Sequence, residues 1–300
     1  MTPPIKPRRS LLYVSADVPR HLEKARDVSA DGIIFDLHDA VAPEHKEEAR
    51  ARLVEVLAAG GFRNQELVVR VNPLDSPWGG QDLAAIATSG CDAVLFPGLC
   101  SAQGVQEAIA RLDAAGGGDL PVMLMIESPM AVLRAEDMAV ASERVCCLVV
   151  NTAALAATLR VSPTSDRIGL FTSLGLVVLA ARAHAKMAVD GSHLDLNEAQ
   201  TCERSCRQGR ELGFDGKCVV HPVQLPYTND TFTPRIKEVE KARAVIRTME
   251  QAQLESRPYA VLEGRLLQPV ELDAARRVVA LHQAIRERET AYNDARPSAT

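Results

Sequence analysis

The sequence contains neither a long apolar run nor a broad basic region. A membrane-spanning helix requires about 20 consecutive, mostly apolar residues, whereas the longest apolar stretches of this chain have only the length of a β-strand. The 300 residues carry a net charge of −5, and their only basic cluster, residues 6–9, is short. The sequence therefore predicts no membrane partner and no nucleic-acid partner.

Three further patterns are absent. The first ten residues lack the apolar segment of a secretory signal. The seven cysteines include no C-x-x-C pair, so a structural zinc site is not indicated, and the adjacent Cys146 and Cys147 lie inside an apolar run. No G-x-G-x-x-G motif follows a candidate strand, which disfavours a dinucleotide-binding sheet. We therefore expect a cytoplasmic protein with reduced thiols.

What the sequence does contain is an alternation of short apolar runs with amphipathic segments. Hydrophobic residues make up 47% of the chain, enough for a sizeable core. Several runs are apolar throughout, as expected for strands that are covered on both faces. The eight candidate strands are residues 11–15, 32–37, 67–72, 93–97, 122–128, 146–151, 188–191 and 218–222. Eight strands with intervening helices predict a closed (β/α)8 TIM barrel over residues 1–230, with an open doubly wound sheet as the alternative.

The last part of the chain has a different pattern. Residues 233–255 read as one long charged helix, residues 256–269 have turn and short-strand character, and residues 270–289 read as another helix. Because this part follows the eighth strand, we expect residues 231–300 to form a helical extension. The extension would pack either on the barrel or on a neighbouring subunit.

Polar residues at the ends of the predicted strands are the candidate site, because TIM-barrel active sites lie at the carboxyl ends of the strands. Arg70 ends the third apolar run, where its guanidinium could hold a substrate carboxylate through a fork of two hydrogen bonds. The alternative is a structural arginine that is paired with Asp36 or Asp39.

Glu127 and His38 each allow more than one interpretation. Glu127 could ligate a hard cation, which prefers oxygen donors, or it could be a buried carboxylate that Arg70 neutralises. His38 could be a general acid or base, a metal ligand, or the hydrogen-bond partner of a carboxylate in the barrel mouth. His221, which precedes a proline, is expected to hold its loop.

Several motifs are spread along almost the whole chain. They are residues 9–14, 17–20, 22–25, 36–43, 69–72, 126–128 and 213–217, with His221 and Pro222 after them. Through these motifs the chain resembles the citrate lyase β-subunit-like proteins, a family that includes malyl-CoA and citramalyl-CoA lyases. The resemblance covers roughly residues 9–285.

This resemblance implies a TIM barrel that forms a homo-oligomer, a trimer or a hexamer. It also implies a magnesium site (Mg²⁺) at the mouth and a substrate that is a small carboxylate or an acyl-CoA, cleaved or condensed in an aldol-type reaction. Arg70 matches the family's arginine and Glu127 its first metal-binding carboxylate, while Asp39 is retained. Arg20 and Lys24 lie in a matched segment and are the candidates for binding the coenzyme.

The sequence also departs from the family pattern at four positions. His38 and Gly98 replace a glutamate and a lysine, Ala154 replaces the second metal-binding aspartate, and Gln268 replaces the catalytic aspartate of the C-terminal segment. Because Mg²⁺ binds through few protein ligands, the loss of one should weaken its binding severely. We therefore expect a lyase-type scaffold with an altered mouth.

Three functions are compatible with these residues. The first is a carbon–carbon lyase in which Arg70 anchors the substrate, Glu127 binds residual metal or acts as a base, and His38 acts as acid or base. The second is a metal-independent enzyme, such as a hydrolase or dehydratase, for which His38 is the main argument. The third is a non-catalytic binding homologue, suggested by Ala154 and Gln268.

Overall fold

Eight parallel strands close into a barrel in the computed structural model, which describes residues 5–162, 164–196 and 199–294. Each strand pairs with the next along the chain, and β1 also pairs with β8, which closes the sheet. The strands are β1 (Ser10–Ser15), β2 (Gly32–Asp36), β3 (Glu66–Arg70), β4 (Ala93–Phe96), β5 (Val122–Ile126), β6 (Val145–Val150), β7 (Met187–Asp190) and β8 (Gly216–Val219). The predicted TIM barrel is thus confirmed, and the open sheet is not.

Helices follow the strands. They are α1 (Pro19–Lys24), α2 (Lys46–Ala59), α3 (Gly79–Ile86), α4 (Ala102–Ala114), α5 (Pro129–Leu133), α6 (Ala135–Val140), α7 (Thr152–Leu159), α8 (Phe171–Ala183), α9 (Ala199–Leu212) and α10 (Leu225–Phe232). The amphipathic pattern of residues 131–142 predicts one helix, but the structure has two, α5 and α6, because the backbone at Arg134 leaves the helical region. The fifth strand ends before its predicted limit, since the Ser128 hydroxyl instead accepts a hydrogen bond from Ala131 N and caps α5.

The strands are apolar on both faces because both faces are covered. One face packs against the helices, and the other fills the interior of the barrel. The interior cluster consists of Leu11, Ile34, Val68, Ala93, Leu95, Met123, Met125, Cys147, Val149, Val189 and Cys218. Side chains two residues further along a strand point the same way. Asp36 and Arg70 therefore continue the inward-facing rows of Ile34 and Val68 at the carboxyl end.

A buried ion pair lies at the opposite, amino-terminal end of the barrel. Arg8 binds both oxygens of Glu66, at 2.7 and 2.8 Å, and both side chains are buried. Gly216 begins β8 so close to this segment that a Cβ there would lie 1.8 Å from the Arg8 carbonyl oxygen. Only glycine allows β8 to approach β1 at this point and close the sheet.

A buried charge cluster lies between the sheet and the helices at β7 and β8. Asp190 and Lys217 are paired in register, both are fully buried, and Lys217 Nζ lies 2.7 Å from Asp190 Oδ2. Arg167 Nη1 donates to both Asp190 oxygens at 2.8 Å. Burial on its own raises the pKa of Asp190, but Lys217 and Arg167 outweigh it, so the pKa lies below the ordinary value of an aspartate.

The described residues divide into two compact units, one formed by residues 8–232 and the other by residues 233–294 together with residues 5–7. The second unit contains α11 (Ile236–Leu254), a hairpin of β9 (Ala260–Leu262) and β10 (Arg265–Leu267), and α12 (Pro269–Asp294). The helix, turn and helix pattern expected for this part is therefore present. That it packs on the barrel or on a neighbouring subunit stays a prediction. Within the described ranges, no helix is long and apolar enough to span a bilayer.

Candidate functional site

Arg70 lies at the carboxyl end of β3 among three carboxylates. Its Nη1 is 3.3 Å from Asp36 Oδ2, and its Nη2 is 2.8 Å from Asp39 Oδ2 and 3.8 Å from Glu127 Oε2. The pairing of Arg70 with Asp36 and Asp39, which was the structural alternative to substrate binding, is thus present. Burial opposes the charge of Arg70, but Asp36 and then Asp39 outweigh it and raise the pKa of the guanidinium. Arg70 is therefore a permanent buried cation.

One edge of this guanidinium lacks hydrogen bonds. Arg70 is 3% exposed, yet neither its Nε nor its Nη2 makes a hydrogen bond of acceptable geometry within the described residues. The 2.8 Å contact with Asp39 is an ion pair whose angle does not suit a hydrogen bond. A buried donor without a partner costs about 1–3 kcal/mol. Nε and Nη2 share the edge that binds carboxylates in a fork, and Asp39 is the anion that this edge faces in the structure, so the edge is a candidate anion site.

A cavity of about 430 Å³ has Arg70 in its wall. Its wall includes Tyr13, His21, Asp36, Asp39 and Asn151, and its size suits a small organic molecule. Burial raises the pKa of Tyr13 well above its usual value, so its hydroxyl remains protonated at neutral pH and can donate a hydrogen bond. The cavity therefore combines a fixed cation, carboxylates and a neutral donor.

Glu127 is surrounded by hydrogen-bond donors. Its Oε1 accepts from Gly98 N at 2.8 Å, and its Oε2 accepts from Asn151 Nδ2 at 3.3 Å. Gly98 has a φ of +74°, a conformation that favours glycine over the lysine of the resembling family. The Asn151 amide is oriented by its oxygen, which accepts from Ala154 N at the start of α7. Its nitrogen is therefore directed at Glu127, where a metal site would need another oxygen.

These residues do not fit a magnesium site of the kind that the resemblance implies. Mg²⁺ requires oxygen ligands in near-octahedral geometry, but Ala154 has none and Asn151 presents a donor. In the part of the chain that the structure describes, no group of three or more His, Cys, Asp or Glu side chains is arranged to hold a metal ion. Glu127 is held here as a hydrogen-bonded carboxylate.

His38 contacts Asp39, which is a residue of the cavity wall. Its Nε2 lies 3.2 Å from Asp39 Oδ1, and its Nδ1 lies 3.3 Å from Asn72 Oδ1. Lys46 Nζ holds this loop by donating to the His38 carbonyl oxygen at 2.6 Å and to Asn72 Oδ1 at 2.8 Å. Of the three interpretations of His38, contact with a carboxylate at the barrel mouth matches the observed geometry. An acid or base role would operate through Asp39.

The structure brings four predicted residues together, namely Arg70, Glu127, His38 and Asp39. The two predicted coenzyme-binding residues, Arg20 and Lys24, are exposed on α1, and their role stays a prediction. The predicted loop-holding role of His221 is confirmed, because its Nδ1 accepts from Val223 N.

Tyr13 and His21 lie in the cavity wall but were not among the candidate residues drawn from the sequence. Tyr13 lies inside a predicted strand, and its inward direction follows from its position two residues after the inward-facing Leu11 of the structure. The face of α1 that His21 presents depends on how that helix packs. Asn151 ends the sixth predicted strand, so its place at the rim was predictable, whereas its contact with Glu127 depends on the neighbouring strand.

Restoring the missing carboxylate should create metal affinity. We expect Ala154→Asp to bind Mg²⁺ at least about tenfold more tightly than the parent chain, since a second carboxylate joins Glu127. Isothermal titration with MgCl₂ measures this directly. Thr158→Asp, one turn further along α7, is the matched control and should leave the affinity unchanged. Equal affinities of Ala154→Asp and the parent would show that position 154 does not face the Glu127 site.

Comparisons with known proteins agree with this architecture. Residues 9–222 match the model of a protein family described as HpcH/HpaI aldolase/citrate lyase. A (3S)-malyl-CoA thioesterase of Cereibacter sphaeroides is 38% identical over 279 residues, which span 93% of this chain and 96% of that protein. The citrate lyase subunit beta of Escherichia coli is 32% identical and spans 91% of this chain and 92% of its own length.

A solved structure is also similar. The protein CitE of Mycobacterium tuberculosis, in complex with magnesium, acetoacetate and coenzyme A, superposes with a TM-score of 0.72. It is 26% identical in sequence, and the match covers 91% of this chain and 97% of that one. That protein thus binds both a metal ion and a coenzyme on the same fold.

Proposed function

Because the chain belongs to the HpcH/HpaI aldolase/citrate lyase family, we propose that it cleaves or forms a carbon–carbon bond in a β-hydroxy acid that binds at Arg70. The substrate presents a carboxylate, and its acyl group is a thioester of coenzyme A. Support for the thioester comes from one relative named (3S)-malyl-CoA thioesterase and from the structure of another similar protein that contains coenzyme A.

The observation that carries this proposal is the unsatisfied edge of Arg70. Asp39, which faces Nη2, is 60% exposed, so it can rotate away from Arg70 within the mouth at little cost. A substrate carboxylate or enolate oxygen then takes the place of Asp39 and accepts from Nε and Nη2. The exchange converts unsatisfied donors into charge-assisted hydrogen bonds, which are the stronger class. Asp36 remains in place, because it is buried beside Nη1.

The same exchange supplies a base. Asp39, once released from Arg70, accepts the proton of the substrate's β-hydroxyl group, and the electrons of that O–H bond form the carbonyl of the departing product. The carbon–carbon bond breaks, and its electron pair becomes an enolate opposite the Arg70 cation. A proton from solvent then completes the α-carbon. His38, 3.2 Å from Asp39, is placed to carry the proton away.

Hydrolysis of the thioester is a second candidate function. It is favoured by the 38% identity with a protein named (3S)-malyl-CoA thioesterase. In this reaction a water molecule attacks the thioester carbonyl, the coenzyme thiol leaves, and Arg70 stabilises the oxyanion. The two functions share the Arg70 anchor but differ in the bond that breaks, so one assay separates them.

Acetyl-CoA in D₂O distinguishes the two reactions. An enolate-forming enzyme should incorporate deuterium at the α-carbon, which mass spectrometry detects, whereas a thioesterase should release free thiol without incorporation. Each reaction is run with EDTA and with Mg²⁺. Because the residues around Glu127 do not fit the metal, we expect incorporation to persist in EDTA. Absence of incorporation under both conditions would refute the carbon–carbon chemistry.

A further inference from the structure

A second cavity, of about 410 Å³, adjoins the cavity that has Arg70 in its wall. Thr152, Ala153 and Leu194 line both, so the two spaces are neighbours that share these three residues. We call the second cavity the annex. It runs along α7, on the side of the barrel where β6 ends.

The annex is lined chiefly by small and apolar side chains. Ala153, Ala156 and Ala157 lie on one face of α7, and Leu170 and Leu194 contribute further apolar surface. Leu194 is 61% exposed. An apolar side chain left uncovered beside a reaction cavity gains free energy when an apolar ligand covers it.

Arg167 is the charged residue that the structure places on the annex wall, and its donors are already in use. Nη1 donates to both oxygens of Asp190, and Nε donates to Gln208 Oε1 at 2.6 Å. Nη2 is directed at the Ser205 carbonyl oxygen, 3.4 Å away. Asp190 is shared with Lys217, so the three groups together keep one positive charge, but each of these Arg167 nitrogens has a partner inside the protein. The mostly small and apolar lining of the annex suits an uncharged chain.

We infer that the annex binds an alkyl chain of the substrate while the carboxylate of the same molecule binds Arg70. The substrate class is then a β-hydroxy acid or thioester with an apolar substituent of several carbons, rather than an unsubstituted malate-like compound. This inference rests on the proposed function only for the anchor at Arg70. Arg70, which is 3% exposed, holds one end of the ligand, and the other end passes the shared residues Thr152, Ala153 and Leu194 to reach the annex.

Straight-chain carboxylic acids test the inference without requiring turnover. Acetate, butanoate, hexanoate and octanoate are titrated into the protein by calorimetry. Burial of each added methylene should tighten binding about two- to fourfold until the annex is full. An affinity that does not change with chain length would overturn the inference.

Substitutions test where on the protein the alkyl chain binds. Ala156→Leu fills the annex and should lower the ratio of octanoate to acetate affinity at least about tenfold, and Ala157→Leu serves the same purpose if the first variant does not fold. Leu133→Ser removes an apolar side chain, 74% exposed on α5, that is not among the annex residues. It should leave the ratio unchanged. If the ratio of octanoate to acetate affinity fell in Leu133→Ser but was unchanged in Ala156→Leu, the alkyl chain would bind on the outer surface. That result would refute binding in the annex.

Arg70→Met separates failure of the annex from failure of the anchor. The variant should weaken binding of all four acids by a similar factor and keep the dependence on chain length. Unchanged affinities in this variant would count against the carboxylate anchor and hence against the proposed function. If the affinity of the parent protein for the four acids does not depend on their length, the result counts against the annex alone.

Discussion

Arg70→Met should lower kcat/KM for carbon–carbon cleavage, or for α-carbon exchange, by about a thousandfold. The substitution removes the cation that faces the developing enolate, and the loss of one such group typically costs about 10²–10³ in rate. It also leaves Asp36, Asp39 and Glu127 together without their shared counter-ion. The exchange assay with acetyl-CoA measures the loss.

Arg70→Lys is the matched control for this prediction. Lysine keeps the positive charge but not the planar fork, so it cannot offer two parallel hydrogen bonds to one carboxylate. We expect its activity to lie between those of the parent and Arg70→Met, with the loss expressed mainly in KM for the carboxylate-bearing partner. Circular dichroism establishes that both variants are folded. If folded Arg70→Met retained activity within tenfold of the parent, the assignment of Arg70 as the anchor would be wrong.

Asp190→Asn should reduce the free energy of unfolding by about 3–5 kcal/mol. The change leaves Lys217 fully buried without its carboxylate, and an uncompensated buried charge is among the largest single losses in a folded protein. Urea denaturation at pH 7 measures the difference. Glu203→Gln removes one partner of the exposed Glu203–Arg207 pair on α9 and is the matched control. Exposed pairs contribute little, so it should cost less than about 1 kcal/mol.

The effect of Asp190→Asn should also depend on pH. The folded protein holds the pKa of Asp190 below its ordinary value, because Lys217 and Arg167 outweigh the effect of burial. Stability from this group is therefore complete above the unfolded pKa, which is about 4, and is lost as the pH falls through the folded pKa. The gap in stability between parent and variant should thus narrow below pH 4. A gap of constant size down to pH 2 would contradict the role of the ionised carboxylate.

The barrel could be predicted from local patterns. Strands buried on both faces are mostly apolar, so several appeared as unbroken apolar runs, and the intervening helices placed the strands in parallel order. The same reasoning put Arg70, Asp39 and Glu127 at one rim, because the carboxyl ends of all eight strands meet there. It did not foresee the break at Arg134, since that change lies in the backbone between two helix-forming segments.

The chemistry of the rim was decided by contacts between residues that are distant in the sequence. The sequence alone determined that a cation and several carboxylates share the mouth, and that Ala154 cannot ligate a metal ion. Only the tertiary structure showed that Asn151 directs its nitrogen at Glu127, and that Nε and Nη2 of Arg70 are left without hydrogen bonds. The annex likewise depends on which face α7 turns toward Leu194. The physical reason is that the orientation of a side chain depends on the residues that pack against it. Closure of the sheet brings these residues together from distant parts of the chain, so local sequence patterns do not identify them.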